Sequence, residues 1–183
     1  MHRLLARLWR DDRGFSAAEF GLLLPILLMF SAGTIEYSRL ILLTQKLQSS
    51  SFILADLTAR DKTLSEEQLE NIFLAIDNIV QPFEFADEGK AIVSSVGVDS
   101  SDQTVINWQR SGSGALTATS ELGSEGGTAE LPDDLDIREG ETIIAAEVFF
   151  NFEPIFGIGL APRVLHKVAF YKPRLGTLDT LEP

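Results

Sequence analysis

The strongest feature in the pattern of apolar and polar positions is a long uncharged stretch near the N-terminus. Sixteen consecutive residues from Phe20 to Ile35 carry no charge, and the apolar character extends back to Phe15 with Glu19 as its one charged residue. As a helix, the 21 residues from Phe15 to Ile35 rise about 32 Å, which is enough to cross the hydrocarbon core of a bilayer. The pattern therefore predicts one membrane-crossing helix.

Helical periodicity continues beyond this stretch. Five leucines fall on one narrow stripe, with Ser50 at the vacant position. The stripe comprises Leu40, Leu43, Leu47, Leu54 and Leu57. Such a heptad-like stripe is suited to packing on a domain or on a neighbouring helix. We therefore expect a transmembrane and stalk helix over residues 15–60, followed by an extracytoplasmic domain over residues 61–183.

A second, shorter helix follows the stalk. The segment Thr63-Leu64-Ser65-Glu66 has the form of a capping box, which opens a helix by bonding two side chains to its first backbone amides. Pro82 ends this helix. Its apolar face comprises Leu69, Ile72, Phe73, Ile76, Ile79 and Val80. This spacing is typical of a helix that packs on a core.

After the second helix the periodicity changes from helical to alternating. Ala91–Val98 and Thr104–Arg110 flank a short polar turn, so we predict a β-hairpin. Ile106 and Trp108 share one face, which we interpret as the core face. Residues 111–130 are rich in Gly, Ser and Thr, and this composition predicts a mobile loop.

Two more strands complete the pattern. Thr142–Phe152 alternates over its whole length, with Glu147 and Asn151 interrupting one of its faces. A last strand, Val164–Tyr171, follows a connection that contains Pro and Gly. The sequence thus predicts the α+β class: a long N-terminal transmembrane helix that continues into a stalk, packed with a further helix on a small antiparallel β-sheet domain.

The charge distribution gives the membrane helix a direction. Residues 1–14 contain four arginines and two aspartates, whereas the whole chain has 15 basic and 27 acidic residues and a formal charge of −12. Basic residues before the span orient the N-terminus toward the cytoplasm. The acidic remainder lacks the basic surface that nucleic acids require, so we expect no nucleic-acid partner.

The inventory of reactive side chains argues against an enzyme. The chain has no cysteine, which excludes disulfides, thiolate metal sites and cysteine nucleophiles. Its two histidines, His2 and His166, are far apart in sequence, and we interpret His166 as a surface or satisfied strand histidine. Gly112 and Gly114 lack the strand-to-helix context of a phosphate-binding loop. We predict no catalytic residue, no metal site and no cofactor.

One acidic segment offers a weaker alternative. Its members are Asp133, Asp134, Asp136, Glu139 and Glu141. Carboxylates are the hard oxygen ligands that Ca²⁺ prefers, but the spacing of an EF-hand loop is absent. We therefore favour a solvated acidic loop over a calcium site.

Two ordinary interpretations of the apolar stretch leave Glu19 unexplained. A cleaved secretory signal would use Ser31-Ala32-Gly33 as its small-residue cleavage site. A plain signal anchor accounts for the length and the orientation of the helix. A carboxylate near the bilayer centre, however, costs about 2.5–3.5 kcal/mol and normally needs a partner. Both interpretations therefore lack a reason for placing Glu19 in this helix.

Charged residues return where the uncharged run ends. Glu36 and Arg39 lie three residues apart, which places them on one side of a helix. Tyr37 lies between them and is suited to the membrane–water interface. We predict an interfacial ion pair with an aromatic anchor at the outer leaflet.

A third interpretation explains Glu19. The segment Gly14-Phe15-Ser16-Ala17-Ala18-Glu19-Phe20 resembles the processing site of type IV pilin-like proteins, in which a basic leader ends in Gly and Glu stands at the fifth mature position. The pair Glu19-Phe20 and the following run LLLPILL most resemble the TadE-like pseudopilins of tight-adherence (Flp) pilus systems. The resemblance is carried by the order of leader, cleavage site and apolar run.

This resemblance implies a maturation route. A prepilin peptidase would remove residues 1–14 by cutting between Gly14 and Phe15 on the cytoplasmic side. Glu19 and Phe20 would serve peptidase recognition and assembly, because the carboxylate of Glu19 can neutralise the new amino group of Phe15 in a low-dielectric environment. Pro25 removes one helical hydrogen bond and is expected to kink the helix.

The C-terminal region extends the resemblance. TadE-like proteins tend to have an aromatic-rich strand that ends in a Pro-aliphatic-aromatic turn, and a final strand that closes on Pro-Arg. The corresponding residues here are 149–156, FFNFEPIF, and 171–174, YKPR. The paired cysteines common in the family are absent.

The resemblance implies a non-enzymatic minor pilin or pseudopilin that is needed for assembly of a Tad (Flp) pilus. Its implied partners are the prepilin peptidase, a sister pseudopilin, the major Flp pilin, the inner-membrane pilus platform and membrane lipid. It implies a single-pass inner-membrane protein with its domain in the periplasm, or incorporated into a pilus that serves cell adhesion. The alternative is an uncleaved bitopic membrane protein whose outer domain binds a ligand or an envelope partner.

Overall fold

The computed structural model describes residues 13–132, 135 and 137–182, with side chains from residue 18 onward. Most of the predicted leader and three acidic residues of the predicted loop, Asp133, Asp134 and Asp136, lie outside the described residues. The described part confirms the α+β class: a long N-terminal helix, a further helix and a four-stranded antiparallel sheet.

Helix α1 runs without interruption from Arg13 to Thr58 and includes Pro25. Its second half buries the predicted stripe, including Leu43, Leu47 and Leu54, so the stripe packs on the chain's own domain. Ser50, at the vacant position of the stripe, is also fully buried and donates its hydroxyl to the Lys46 carbonyl. This internal partner lets a polar side chain occupy an apolar face.

The contacts divide the chain into two compact units. One consists of helix α1 up to Arg39 together with the loop Pro154–Ala161. The other consists of Leu40–Glu153 and the chain from Pro162 onward. The first unit contains the apolar part of the helix, and the second contains the sheet.

Helix α2 spans Glu66–Val80 and begins at a capping box. The box is displaced from its predicted position: Ser65, not Thr63, is the N-cap, and Gln68 takes the place predicted for Glu66. Ser65 Oγ accepts from the Gln68 amide at 3.2 Å, and Gln68 Oε1 accepts from the Ser65 amide at 2.9 Å. Burial of Leu64 immediately before the cap fixes this entry point. The four fully buried positions of the predicted face are Leu69, Phe73, Ile76 and Val80.

The sheet follows a single helical turn, α3, at Phe85–Glu88. Its strands are β1 at Gly89–Val98, β2 at Thr104–Gly112, β3 at Thr142–Phe152 and β4 at Arg163–Tyr171. They lie in the order β2-β1-β3-β4, and each neighbouring pair is antiparallel. The predicted hairpin and both later strands are thereby confirmed, and strand β3 occupies an interior position. The shared face predicted for Ile106 and Trp108 is wrong: an irregularity in the β1–β2 register pairs Trp108 with Ser95 and Ile106 with Val96, so the two side chains lie on opposite faces of the sheet, each of them buried.

Both faces of the sheet are covered. On one face, the rings of Phe83 and Phe85 pack against Phe150 with centroid distances of 6.1 and 6.3 Å. The opposite face carries a second apolar cluster made by β-strands and the segment after β2. Its buried members are Val96, Ile106, Leu122, Ala129, Ile137 and Ala145.

The segment after β2 differs from the mobile loop that its composition predicts. The Ile106 amide donates to the Gly127 carbonyl at 3.0 Å, and the Gly126 amide donates to the Ile106 carbonyl at 2.8 Å. Leu122 and Ala129 are buried on the sheet. A few apolar anchors and backbone bonds to β2 therefore outweigh the flexible composition and give this segment a fixed course.

Residues 172–182 form a tail that returns across the domain. The indole nitrogen of Trp108 donates to the Leu178 carbonyl at 2.8 Å, inside the core. Further along, the Glu182 amide donates to the Leu64 carbonyl at 2.9 Å. The tail thus joins strand β2 to the segment that precedes helix α2.

Candidate functional site

Among the described residues, one helix is long and apolar enough to cross a membrane. It extends over Ala18–Thr58, and its most apolar window has a mean hydropathy of 1.8 with no part buried. Its nine large apolar side chains between residues 20 and 30 are each 40–73% exposed. They are Phe20, Leu22, Leu23, Leu24, Ile26, Leu27, Leu28, Met29 and Phe30. An apolar surface of this extent requires lipid or another protein to cover it.

The predicted processing and assembly residues lie at the start of helix α1. The backbone at Gly14 and Phe15 is already helical, and Glu19 follows Phe15 by one turn. The side chains of Glu19 and Phe20 are exposed. This spacing brings a carboxylate within one turn of the nitrogen that cleavage after Gly14 would free. The roles of these residues stay predictions.

A second carboxylate of helix α1, that of Glu36, is completely buried. It accepts hydrogen bonds from two consecutive backbone amides, Ile155 at 3.0 Å and Phe156 at 2.6 Å. The predicted contact with Arg39 is also present, with 3.6 Å between Nη1 and Oε1. The principal partner of Glu36 is therefore the loop Pro154–Ala161, which we call the Glu36 loop.

The sequence of the Glu36 loop explains its shape. Gly157 and Gly159 have φ angles of 65° and 73°, a conformation that glycine adopts without strain. The turn points successive amides inward, and such a concave row of N–H groups binds anions. A Cβ placed on Gly33 would lie 3.9 Å from Ile158, so the loop packs along the helix one turn before Glu36. A closer approach occurs at Gly159, where an added Cβ would lie 3.2 Å from the hydroxyl of Tyr37.

Replacing Glu36 with alanine should release the Glu36 loop from the helix. Hydrogen bonds to a charged acceptor contribute about 1.5–3 kcal/mol, so protection of the Ile155 and Phe156 amides should fall about tenfold to a hundredfold. Hydrogen–deuterium exchange of the full chain in detergent micelles measures this change. Glu153→Ala, at an exposed glutamate beside the loop, is the matched control and should leave both amides protected. Unchanged exchange in Glu36→Ala would contradict the assigned partner.

A separate polar cluster lies on the sheet, on the face covered by the segment after β2. Glu147, in the interior of strand β3, is completely buried and accepts from the hydroxyl of Ser120 and from the Glu121 amide at 2.9 Å. His166 of strand β4 lies between two carboxylates, with Nδ1 3.0 Å from Glu121 and Nε2 3.2 Å from Glu147. Its ring stacks on Phe149 at 4.3 Å. Each ring nitrogen of this strand histidine thus faces a carboxylate, and the contact of Nε2 with Glu147 is an ion-pair distance without hydrogen-bond geometry.

Two opposing effects act on the pKa of His166. Burial favours the neutral ring and lowers the pKa, whereas the contact with Glu147 and the charge of Glu121 favour the protonated ring. The carboxylates prevail, and the pKa of His166 is raised above its ordinary value of 6.5. A raised pKa means that protonation of His166 stabilises the folded domain.

The stability of the domain should therefore decrease as the pH rises. The contribution of His166 is fully present below the unfolded-state pKa and is lost as the pH passes through the higher folded-state pKa. Denaturant unfolding followed by Trp108 fluorescence in a Trp9→Phe background should give a lower midpoint at pH 8 than at pH 6. His166→Gln should remove most of this difference. If the denaturation midpoint changed equally with pH in the His166→Gln variant and in the protein with His166, the pH dependence would not come from His166.

The acidic segment of the sequence gives no sign of a metal site in the part of the chain that is described. Glu141 contacts Lys172 Nζ at 2.6 Å, and this hydrogen bond holds the pKa of the Glu141 carboxyl below its usual value. No group of three or more metal-ligating side chains occurs among residues 18–132 and 137–182. The calcium alternative, which needs Asp133, Asp134 and Asp136, stays a hypothesis outside the described residues.

The long helix is also the region that resembles known proteins. Residues 14–52 match the family model described as TadE-like protein. Comparison with the curated proteins and with the solved structures gave no significant match. The matched range begins at the predicted cleavage site and extends through the apolar stretch, Glu36 and the first part of the buried stripe. The N-terminal part of the expected resemblance is thereby confirmed over residues 14–52, and the match does not extend to the C-terminal segments 149–156 and 171–174.

Proposed function

We propose that this chain is a minor pilin or pseudopilin of a Tad (Flp) pilus, an assembly component without enzymatic activity. The observation that carries the proposal is the coincidence of the TadE-like match with an apolar helix surface that the chain itself leaves uncovered. A membrane covers this surface before assembly, and helices of neighbouring subunits cover it afterwards. The proposed topology is single-pass in the inner membrane, with the N-terminus cytoplasmic and the domain periplasmic.

Maturation begins with the prepilin peptidase, which removes the leader after Gly14. The new N-terminus at Phe15 lies at the start of an apolar helix, where an unpaired ammonium group would be costly. Glu19, one turn along the helix, supplies the counter-charge to the amine of its own chain or of a neighbour. This pairing sets the register in which the helix associates with a sister pseudopilin, the major pilin and the inner-membrane platform.

Intact mass of the membrane-extracted protein tests the proposal. The mature chain should begin at Phe15 and contain 169 of the 183 residues. Gly14→Phe should abolish cleavage, because the bulky side chain stands at the cut, while membrane insertion continues. Gly21→Phe is the matched control: a Cβ there meets nothing within 4 Å, so this variant should be processed normally.

Two outcomes would overturn the proposal. An intact Met1 in the wild-type protein would favour the uncleaved bitopic protein with a ligand-binding outer domain. A mature chain that starts at Thr34 would favour a secretory signal cut after Gly33. Each alternative gives a mass of its own, so a single spectrum distinguishes the three.

A further inference from the structure

We propose that the Glu36 loop, Pro154–Ala161, inserts its tip into the outer leaflet of the membrane that helix α1 crosses. The tip consists of Ile155 and Phe156. The proposal rests on the single-pass topology of the proposed function and adds a second, non-helical membrane contact to it. The occupant of this surface is the interfacial layer of phospholipid, in which headgroups meet the first acyl carbons.

The Glu36 loop is uncharged, and the two side chains of its tip are exposed. Residues 154–162, PIFGIGLAP, carry no charge and lie between Glu153 and Arg163. Ile155 and Phe156 are 61% and 51% exposed. Adjacent large apolar side chains on a short turn form the kind of surface patch that marks a contact with lipid or protein. The tip therefore needs a cover that the chain does not provide.

Packing against helix α1 sets the depth of the Glu36 loop. Ile158 packs beside Gly33, which lies inside the uncharged run of helix α1 that ends at Ile35. A helix that crosses the bilayer with this run places Gly33 within the outer leaflet. Because the Glu36 loop and this part of the helix belong to one compact unit, the loop lies at the same level.

The backbone of the loop tip has hydrogen-bond acceptors within the protein. Irregular backbone is excluded from hydrocarbon because its amides lack partners there. The buried carboxylate of Glu36 supplies acceptors for the amides of Ile155 and Phe156, the two residues of the tip. The amides that enter the interface first are thus already bonded. The remaining polar groups of the loop limit its insertion to the shallow, hydrated part of the leaflet.

Site-specific fluorescence quenching in vesicles tests the insertion. The chain has no cysteine, so Phe156→Cys and Ile155→Cys each provide one position for an environment-sensitive fluorophore on the full-length protein. Vesicles contain phospholipid with a nitroxide quencher near the headgroup or deep in the acyl chain. Ile26→Cys, in the middle of the span, is the membrane reference, and Leu74→Cys, an exposed apolar position of helix α2, is the aqueous reference.

At positions 155 and 156 we expect at least a twofold loss of emission with the shallow quencher and a smaller loss with the deep one. Position 26 should show the reverse order, and position 74 should respond to neither. Tip positions that behave like position 74 would overturn the insertion alone. An unquenched position 26 would overturn the membrane span and the insertion together. Blue-shifted tip emission that ignores lipid quenchers and increases with protein density would assign the tip to a neighbouring subunit, and would also overturn the insertion.

Discussion

Replacing Glu19 with valine is expected to abolish pilus formation while leaving expression, membrane insertion and leader removal largely intact. Valine spares the desolvation of a carboxylate, so a simple anchor would gain from the change. An assembling subunit would lose the counter-charge to the Phe15 amine when that amine enters an apolar helix interface. The substitution therefore distinguishes the two interpretations, because it should benefit a simple anchor and inactivate an assembling subunit.

Pilus counts and crosslinking between N-terminal helices measure the effect in cells that lack the wild-type copy. Glu19→Asp should be intermediate, because the charge remains but its reach is shorter by one methylene. Thr34→Val is the matched control: it also replaces a polar side chain of the same helix, whose hydroxyl bonds only to the Phe30 carbonyl one turn away. This control should form pili normally. If the Glu19→Val variant formed pili normally, the interpretation of helix α1 as a plain signal anchor would be favoured.

Replacing Glu147 with alanine should destabilise the domain by about 3–5 kcal/mol. The substitution leaves the Ser120 hydroxyl and the Glu121 amide without their acceptor in a buried site, and removes one of the two carboxylates beside His166. Breaking a buried charged network by removing one member has a cost of this order. For a chain of this size the midpoint of thermal unfolding should fall by roughly 10 °C.

Thermal unfolding followed by Trp108 fluorescence in the Trp9→Phe background gives this number. Glu147→Gln should lose less stability, because an amide oxygen still accepts a hydrogen bond. Glu70→Ala, at an exposed glutamate of helix α2, should change stability by no more than about 0.5 kcal/mol. If the Glu147→Ala and Glu70→Ala variants were equally stable, the hydrogen bonds and ion pair of Glu147 would contribute nothing to the stability of the domain.

Local patterns are sufficient to predict helices α1 and α2 and the four strands, whereas the single helical turn α3 at Phe85–Glu88 is not predicted. The leucine stripe, the face of helix α2 and the alternation of strands β1–β4 all depend on residues within a few positions of each other. The predicted cap of helix α2 lies two residues before the observed one, because Thr63 and Ser65 both have the side chain that a cap requires. The reciprocal hydrogen bonds of Ser65 with Gln68, together with burial of Leu64, identify Ser65 as the cap, and burial depends on the rest of the fold.

Both buried carboxylates lay beyond such patterns. Glu36 accepts a hydrogen bond from the amide of Ile155, which lies 119 residues further along the chain, and no sequence pattern links the two segments. An acidic residue at the end of an apolar helix indicates that it has a partner. Arg39, three residues away, is the partner that local spacing predicts, and the loop amides cannot be predicted in this way. Glu147 was recognised as an interruption of a strand face, but its partners come from the segment after β2, whose composition indicated mobility.

The tail formed by residues 172–182 imposes an order on biosynthesis. It follows all the other helices and strands in the chain, yet it supplies the Leu178 carbonyl to Trp108 in the core. A ribosome-bound chain therefore holds helix α1 complete long before the domain can close. Until Leu178 has been synthesised, the incomplete domain exposes apolar surface and an indole without its acceptor, which are the conditions under which chains aggregate. The interval between synthesis of the helix and synthesis of the tail is the time during which a chaperone would protect this protein.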